Sequence, residues 1–285
     1  NLIENAFNDG MADPNRFMLT NFAKRELLSE VSPKAEQEKN TQLTYVDSII
    51  KKTMYYNPTE EKLINQLASL LEPERFSDIQ KRLKECGMRT GFACLFYGAP
   101  GTGKTETVLQ LAKQTGRNIM QVNISDIKSK WVGESEKNIK EIFDRYHSFV
   151  KKNKVVPILF FNEADAIFGT RLEKTRHAVD KMENSIQNII LQEMENLNGI
   201  LIATTNLSNN LDKAFERRFL YKIKFQKPNE EALKSIWKSM IPDLDNETIS
   251  ELAMKYDFSG GQIENIARKK TIQSILDGEQ ITLAQ

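Results

Sequence analysis

A three-layer α/β sandwich with a five-stranded parallel sheet, followed by a small helical domain, is the fold class that the sequence predicts. Three observations carry it. Short apolar runs recur at 92–97, 119–123, 155–161, 200–204 and 221–225, and stretches of helical periodicity separate them. Such alternation argues for parallel strands covered by helices, with ligands taken at the carboxyl ends of the strands. A glycine-rich loop lies between the first run and a helical pattern, where such a fold binds its ligand. After Pro228 the strands stop, and 229–241, 246–256 and 260–276 read as three helices. Trp237, Ile241, Leu244, Leu252, Ala253, Ile263, Ile266 and Ile272 give them enough apolar surface for a small core.

The 285 residues suffice for one two-part unit or two domains. Charged residues make up 28% and the net charge is +1, which fits a soluble globular chain. Tracking nucleic-acid phosphates needs many Lys and Arg, so this balance counts against a DNA or RNA partner. No apolar stretch is long enough to span a bilayer, and no signal-peptide pattern opens the chain. Cys86 and Cys94 form no metal or disulfide pattern, which points to a reducing compartment, the cytoplasm. The chain opens on Asn1 rather than Met and reads as a fragment, whose missing N-terminal part would carry targeting or recruitment.

Residues 1–50 are polar and weakly patterned, with Phe17, Leu19, Phe22, Leu27 and Leu28 able to dock a short helix. Asn57-Pro58-Thr59-Glu60 signals a helix start: Asn57 caps, Pro58 suits the first turn, and Glu60 reaches back to the cap. Leu63, Ile64, Leu67, Leu70 and Leu71 mark one apolar face, and Pro73 limits that helix.

The glycine-rich loop is Gly98-Ala99-Pro100-Gly101-Thr102-Gly103-Lys104-Thr105, with Glu106 opening the helix after it. It fits G-x-x-x-x-G-K-[ST], and the strand–loop–helix context argues against a chance glycine turn. The glycines let backbone N–H groups turn inward around phosphate oxygens, and the helix N-terminus adds its partial positive charge. Lys104 is expected on the β- and γ-phosphates, and Thr105 on Mg²⁺ through its hydroxyl.

The run 155–161 reads as a buried strand that delivers Asn162 and Glu163 to the same sheet edge. Glu163 is then placed to orient and polarise an attacking water. The run 200–204 delivers Thr205 and Asn206. Asn206 is either a strand-end turn residue or a group that holds the γ-phosphate or the water in line.

Phosphate loop, FFNEAD at 160–165, ATTN at 203–206 and FERRF at 215–219 come in the order and rough spacing of the AAA+ ATPases, which this sequence resembles over about residues 90–270. The stretch SKWVGESE at 129–136 is similar to the protein-remodelling members of the AAA clade. The resemblance implies ATP or ADP with Mg²⁺ as cofactors, and an ATPase that converts ATP and water to ADP and phosphate. It makes Glu163 the Walker B acid, Asn206 sensor 1, and Arg217 and Arg218 an arginine-finger pair offered to the neighbouring protomer. It implies a self-assembled ring, a hexamer. Ser259, Gly260, Gly261 and Gln262 match the lid segment facing the nucleotide, and no sensor-2 arginine stands there. Asn123 matches the place of a switch partner for Glu163, although a plain strand-end Asn fits as well.

By the same resemblance Lys130, Trp131, Val132 and Gly133 form a pore loop whose aromatic grips polypeptide, which suits an aromatic's large, tolerant contact. The alternative is a tryptophan covering a local apolar patch. A second polar loop carries Arg171, Lys174, Arg176 and His177. The expected division is 1–55, a segment of unassigned role; 56–227, the nucleotide-binding domain; and 228–285, the lid. ATP-driven remodelling of an unidentified protein substrate leads; a nucleotide-gated binding or signalling module is the alternative, and a nucleic-acid ATPase ranks third.

Asn162 stands where such acidic strands usually carry Asp. An amide keeps the carbonyl acceptor and loses the charge, so its hold on metal-bound water weakens. Glu163 is intact and Asp165 restores part of the field, so the expectation is a functional ATPase whose Mg²⁺ affinity is weaker than that of an Asn162→Asp variant.

Overall fold

The computed structural model describes residues 41–123, 135–169, 178–207 and 211–276. The chain divides into two compact units, 1–42 and 43–285, and the architecture below is that of the second. The boundary expected at 55/56 falls inside that unit. The pore-loop residues Lys130, Trp131, Val132 and Gly133 lie outside the described residues. So do Arg171, Lys174, Arg176 and His177, and the apolar positions between Phe17 and Leu28.

Strand β1 (Thr41–Thr44) straddles the division. Helix α1 (Pro58–Leu70) begins at the predicted cap, and Pro73, which limits it, also opens a second helix, α2 (Pro73–Glu85). Proline at the first helical position loses no hydrogen bond and comes with a helical φ, so it marks a beginning as readily as an end. Then follow β2 (Phe92–Gly98), α3 (Lys104–Gln114), β3 (Ile119–Asn123), α4 (Ser135–Lys152), β4 (Ile158–Asn162), the short α5 (Asp165–Phe168) and α6 (Ala178–Glu195). The unit continues with β5 (Ile200–Thr205), the short α7 (Lys213–Glu216) and β6 (Tyr221–Phe225), and closes on α8 (Glu230–Met240), α9 (Asn246–Lys255) and α10 (Gly260–Leu276).

The sheet order is β1-β3-β4-β5-β2-β6. The pairs β3/β4, β4/β5, β5/β2 and β2/β6 are parallel. All five predicted strands are present, and the sheet has a sixth that the five-stranded expectation omits. Its sequence, TQLT, has one large apolar residue, so no periodicity betrays it. Strand β4 starts at Ile158 rather than at 155 because Pro157 before it has no N–H to give a ladder.

The central strands β2, β4 and β5 are buried on both faces, and their side chains alternate between two cores. Phe92, Cys94, Phe96, Ile158, Phe160, Ile200 and Ile202 face a cluster that includes residues of α1, α2 and α3. Ala93, Leu95, Leu159, Phe161, Leu201 and Ala203 face the other, with Ile139, Phe143 and Tyr146 of α4 and Ile186 and Ile190 of α6. Helices on either side of a doubly buried sheet make the three layers. Helices α8, α9 and α10 have a third cluster, built on Leu233, Ile236, Trp237, Ile249 and Ile263, with Tyr55 packed against it. Ile266 and Ile272, expected in this core, are exposed instead: Ile272 lies on the face of α10 opposite Ile263, and Ile266 lies at the margin of the buried stripe.

The connection from β6 to α8 is pinned to the start of α1. Glu60, buried, accepts from the backbone N–H of Asn57 at 3.1 Å and of Gln226 at 2.6 Å. Asn57 accepts from Asn229 N at 2.7 Å and donates to Lys227 O at 3.1 Å. The capping residues of α1 therefore also hold the backbone between sheet and helices.

Candidate functional site

Strand β2 lies between β5 and β6, and β4 lies beside β5, so the carboxyl ends of β2, β4 and β5 open on one edge. There the glycine-rich loop leaves β2 and closes into α3. Gly98 (φ +140) is pressed so hard against β6 that a Cβ would stand 2.0 Å from Phe225 O. Gly101 (φ +75) turns the loop under Ser259. A cavity of about 690 Å³ opens above this edge. That volume suits a nucleotide-sized ligand.

Predicted residues Pro100, Gly101, Thr102, Gly103, Lys104, Thr105 and Glu106 line it, as do Glu163, Asn206 and Gly261. Gly98 and Ala99 contribute through their carbonyls. Lys104, 7% exposed, donates from Nζ to Gly98 O and Ala99 O, both at 2.8 Å, and to Asn206 Oδ1 at 3.0 Å. Burial pushes its ammonium below the usual lysine range, and the charges of Asp165 and Glu163 offset part of that. The cation is thus fixed at the loop with carboxylates nearby, where a phosphate chain would be neutralised.

Asn162 stands behind Thr105. Thr105 donates from its hydroxyl to Asn162 Oδ1 at 3.0 Å, and Thr204 of β5 donates to the same oxygen at 3.1 Å. Glu163 follows at φ +52, an unusual backbone for a residue with a Cβ, and its side chain is exposed at the cavity. Its N–H donates to Thr204 Oγ1 at 3.1 Å.

Asp165 has a more specific task than the expected restoration of field. It accepts from the Thr205 hydroxyl, from Asn206 N at 2.7 Å and from Leu207 N at 3.2 Å. It therefore anchors the turn that carries Asn206, while its charge still reaches Lys104. Asn123 is level with Asn162 in the β3/β4 register, and its Oδ1 accepts from Gln121 at 3.2 Å.

The far wall was not predicted. It is a strap, 52–56, with Ile236, Met240 and Glu264 from the C-terminal helices. Lys52 pairs with Glu106 at 3.0 Å, which engages the carboxylate expected to serve the ligand. Tyr56 meets Thr107 Oγ1 at 3.0 Å, and Thr107 in turn donates to Gly103 O at 2.9 Å, so the tyrosine is the donor in the pair. Gly261 N donates to Gly101 O at 2.9 Å, joining α10 to the glycine-rich loop. The adjacent Tyr55-Tyr56 just before a helix cap is the one sequence signal for the strap.

Arg217 and Arg218 stand apart from this cavity and differ from each other. Arg217 is exposed and donates from Nε to Lys213 O at 3.3 Å. Arg218 is largely enclosed, with Nη2 on Glu195 Oε1 at 2.6 Å and Nη1 on Ala214 O at 2.7 Å.

Among the described residues no group of three or more His, Cys, Asp or Glu could hold a metal by itself. The oxygen donors here, the Thr105 hydroxyl backed by Asn162, fit a hard cation that keeps phosphate oxygens and water as its other ligands, as Mg²⁺ does.

A phosphate loop closing into a helix at the carboxyl edge of a parallel sheet, beside a strand that Glu163 follows, defines a P-loop nucleotide-binding protein. Comparison with known proteins narrows the class. Residues 94–227 match the family described as "ATPase family associated with various cellular activities (AAA)", and this segment of the chain is an AAA domain. It is 33% identical over 192 residues to Cell division protein C of Sulfolobus acidocaldarius, covering 64% of this chain and 50% of that protein. It is 31% identical over 267 residues to Protein CdcH of Halobacterium salinarum, covering 88% and 33%. Against the human Vacuolar protein sorting-associated protein 4A it is 29% identical over 250 residues, covering 77% and 56%. The chain thus spans between about a third and just over half of the length of these relatives.

Proposed function

We propose that the chain binds ATP with Mg²⁺ in the cavity, hydrolyses it to ADP and phosphate, and uses the cycle to remodel polypeptides as part of a ring. The observation that carries this reading is the convergence of Lys104, Asn206 and Glu163 on one end of a nucleotide-sized cavity. Lys104 holds the β- and γ-phosphates. Thr105 holds Mg²⁺ through its hydroxyl, backed by Asn162, and the ion when bound supplies charge neutralisation at the phosphates. Glu163 orients a water and takes its proton as the water attacks γ-phosphorus, and Asn206 keeps the water and the phosphoryl group in line. The phosphate leaves and ADP remains.

Among the described residues no arginine lines the cavity of one copy. Arg217, exposed and outside its own cavity, serves the γ-phosphate of a neighbouring copy, in a ring that is a hexamer. Arg218, tied to Glu195, acts through the position of Arg217. Helices α8–α10, from 228 onward, are the lid, and the large nucleotide domain precedes them. Trp131, with Lys130, Val132 and Gly133, grips polypeptide in the ring's pore. The names of two relatives, from cell division and vacuolar protein sorting, are compatible with remodelling protein assemblies. The uncharged Asn162 favours one second reading, a nucleotide-gated module that binds ATP and turns over little.

The experiment is turnover per protomer against protein concentration, with molecular mass measured in ATP and Mg²⁺, with and without an unfolded polypeptide. Turnover is expected to rise with assembly and with polypeptide, and Trp131→Ala to abolish the polypeptide effect. Arg217→Ala is expected to slow turnover about 10³-fold, the lower end of the range for such arginines, while ATP still binds. Full turnover by a strictly monomeric preparation overturns the ring. Tight binding with negligible turnover selects the gated module.

A further inference from the structure

Thr204 stands inside ATTN at 203–206, but nothing so far gives it a task of its own. It lies near the end of β5, buried to 2% exposure, and reaches three consecutive residues of the acidic strand's end. Its carbonyl accepts from Ala164 N at 2.8 Å, its hydroxyl oxygen accepts from Glu163 N at 3.1 Å, and the hydroxyl donates to Asn162 Oδ1 at 3.1 Å. A threonine hydroxyl has one proton. With the Glu163 amide on one of its lone pairs, that proton has Asn162 Oδ1 as its acceptor. The same Oδ1 accepts the Thr105 hydroxyl at 3.0 Å, so it takes two hydroxyl donors.

A carboxamide has two unlike ends. Turned over, Asn162 would present Nδ2 to both threonines, and neither hydroxyl proton would keep this acceptor. A carboxylate at the same place would have no wrong end. The amide therefore needs a neighbour to fix its orientation, which an Asp would not. We infer that Thr204 is a positioning residue that holds the Asn162 amide oxygen toward Thr105, and so sets the Thr105 hydroxyl for Mg²⁺, while its contact with the Glu163 amide holds the backbone of the catalytic carboxylate. Ordinary strand packing would be served by any residue of this shape. The inference depends on the hydroxyl, and it rests on the nucleotide reading above.

The test measures binding of AMP-PNP, a slowly hydrolysed ATP analogue, by calorimetry on the full chain in Mg²⁺ and in EDTA. The readout is the factor by which Mg²⁺ tightens binding. Thr204→Val, isosteric and without a hydroxyl, is expected to shrink that factor about tenfold, the size of one hydrogen bond near a charged ligand. Thr204→Ser keeps the hydroxyl and restores the factor. In an Asn162→Asp background, Thr204→Val changes it less than about twofold, because a carboxylate needs no orienting. Thr204→Ala gives the same pattern and serves where the valine variant does not fold. An undiminished Mg²⁺ factor in Thr204→Val or Thr204→Ala overturns the inference. So does an equal loss with Asn162 in place and in the Asn162→Asp background. A wild-type chain that binds AMP-PNP in neither condition overturns the nucleotide reading itself, and is recognised by that.

Discussion

The two ends of the cavity are built in opposite ways. At the phosphate end, Lys104, Thr105, Asn162, Thr204, Asp165 and Asn206 come from the ends of the adjacent strands β4 and β5 and from the first turns of α3 and α5. They are joined by side-chain hydrogen bonds of 2.7–3.4 Å, among them Lys104 to Asn206, Thr204 to Asn162 and Asn206 to Asp165. At the other end, the strap 52–56, Ile236, Met240 and Glu264 come from before and after the sheet. A few contacts connect that wall to the glycine-rich loop and α3: Lys52 with Glu106, Tyr56 with Thr107, and Gly261 with Gly101. The first end is preorganised by the sheet. The second exists only while the helices after Pro228 stay in place. Affinity for phosphate should therefore be a fixed property of the sheet, and affinity for the rest of the ligand an adjustable one.

The sharpest way to break this contrast is to compare ATP with inorganic triphosphate. Lys104→Ala removes a cation on the phosphate chain and should weaken both ligands about 100-fold, since hydrogen bonds to charged groups contribute about 1.5–3 kcal/mol each. Calorimetry checks it, and a loss for ATP alone would place Lys104 at the wrong end. Tyr56→Phe removes one neutral hydrogen bond from the strap, about 1 kcal/mol. It should weaken ATP roughly fivefold and leave triphosphate as it was. Equal losses for the two ligands would mean that the strap also shapes the phosphate end.

The smallest effect is in pH. Burial puts the pKa of Lys104 in the folded chain below its value in the unfolded chain. The charged lysine therefore penalises the folded state near neutrality. Without nucleotide, stability should rise slightly as pH climbs from the lowered value to the ordinary lysine value, about 10.4. ATP affinity should fall over the same window as the cation is lost. Melting temperature and calorimetry across pH 8 to about 10.5 would show the two trends crossing, and Lys104→Met should remove both.

The phosphate end was legible in the sequence because its chemistry is local. Eight consecutive residues specify the loop, and the strand before it and the helix after it confirm its setting. Asn162, Glu163 and Asn206 were legible as the residues that end apolar runs. The strap was not, because 52–56 has no periodicity and acquires its meaning only from α3 and the C-terminal helices. Thr204 was hidden differently: it reads as one more β-branched strand residue, and its task appears only when β5 lies beside β4. Arg217 and Arg218 are adjacent and chemically identical, so no pattern separates them. Glu195, at the end of a helix that precedes β5, does so by holding one and leaving the other exposed. Strand β1 was missed for want of apolar residues, although the three C-terminal helices were found to within a residue or so of their ends.

The bond from Gly261 N to Gly101 O has a use beyond joining two walls. It is a single amide proton, on a residue without a side chain, whose acceptor belongs to the glycine-rich loop itself. Its exchange with deuterated solvent is slow only while α10 touches that loop. Followed residue by residue in the nuclear magnetic resonance spectrum of nitrogen-15-enriched protein, this one glycine signal gauges the closing of the cavity without a mutation or a ligand analogue.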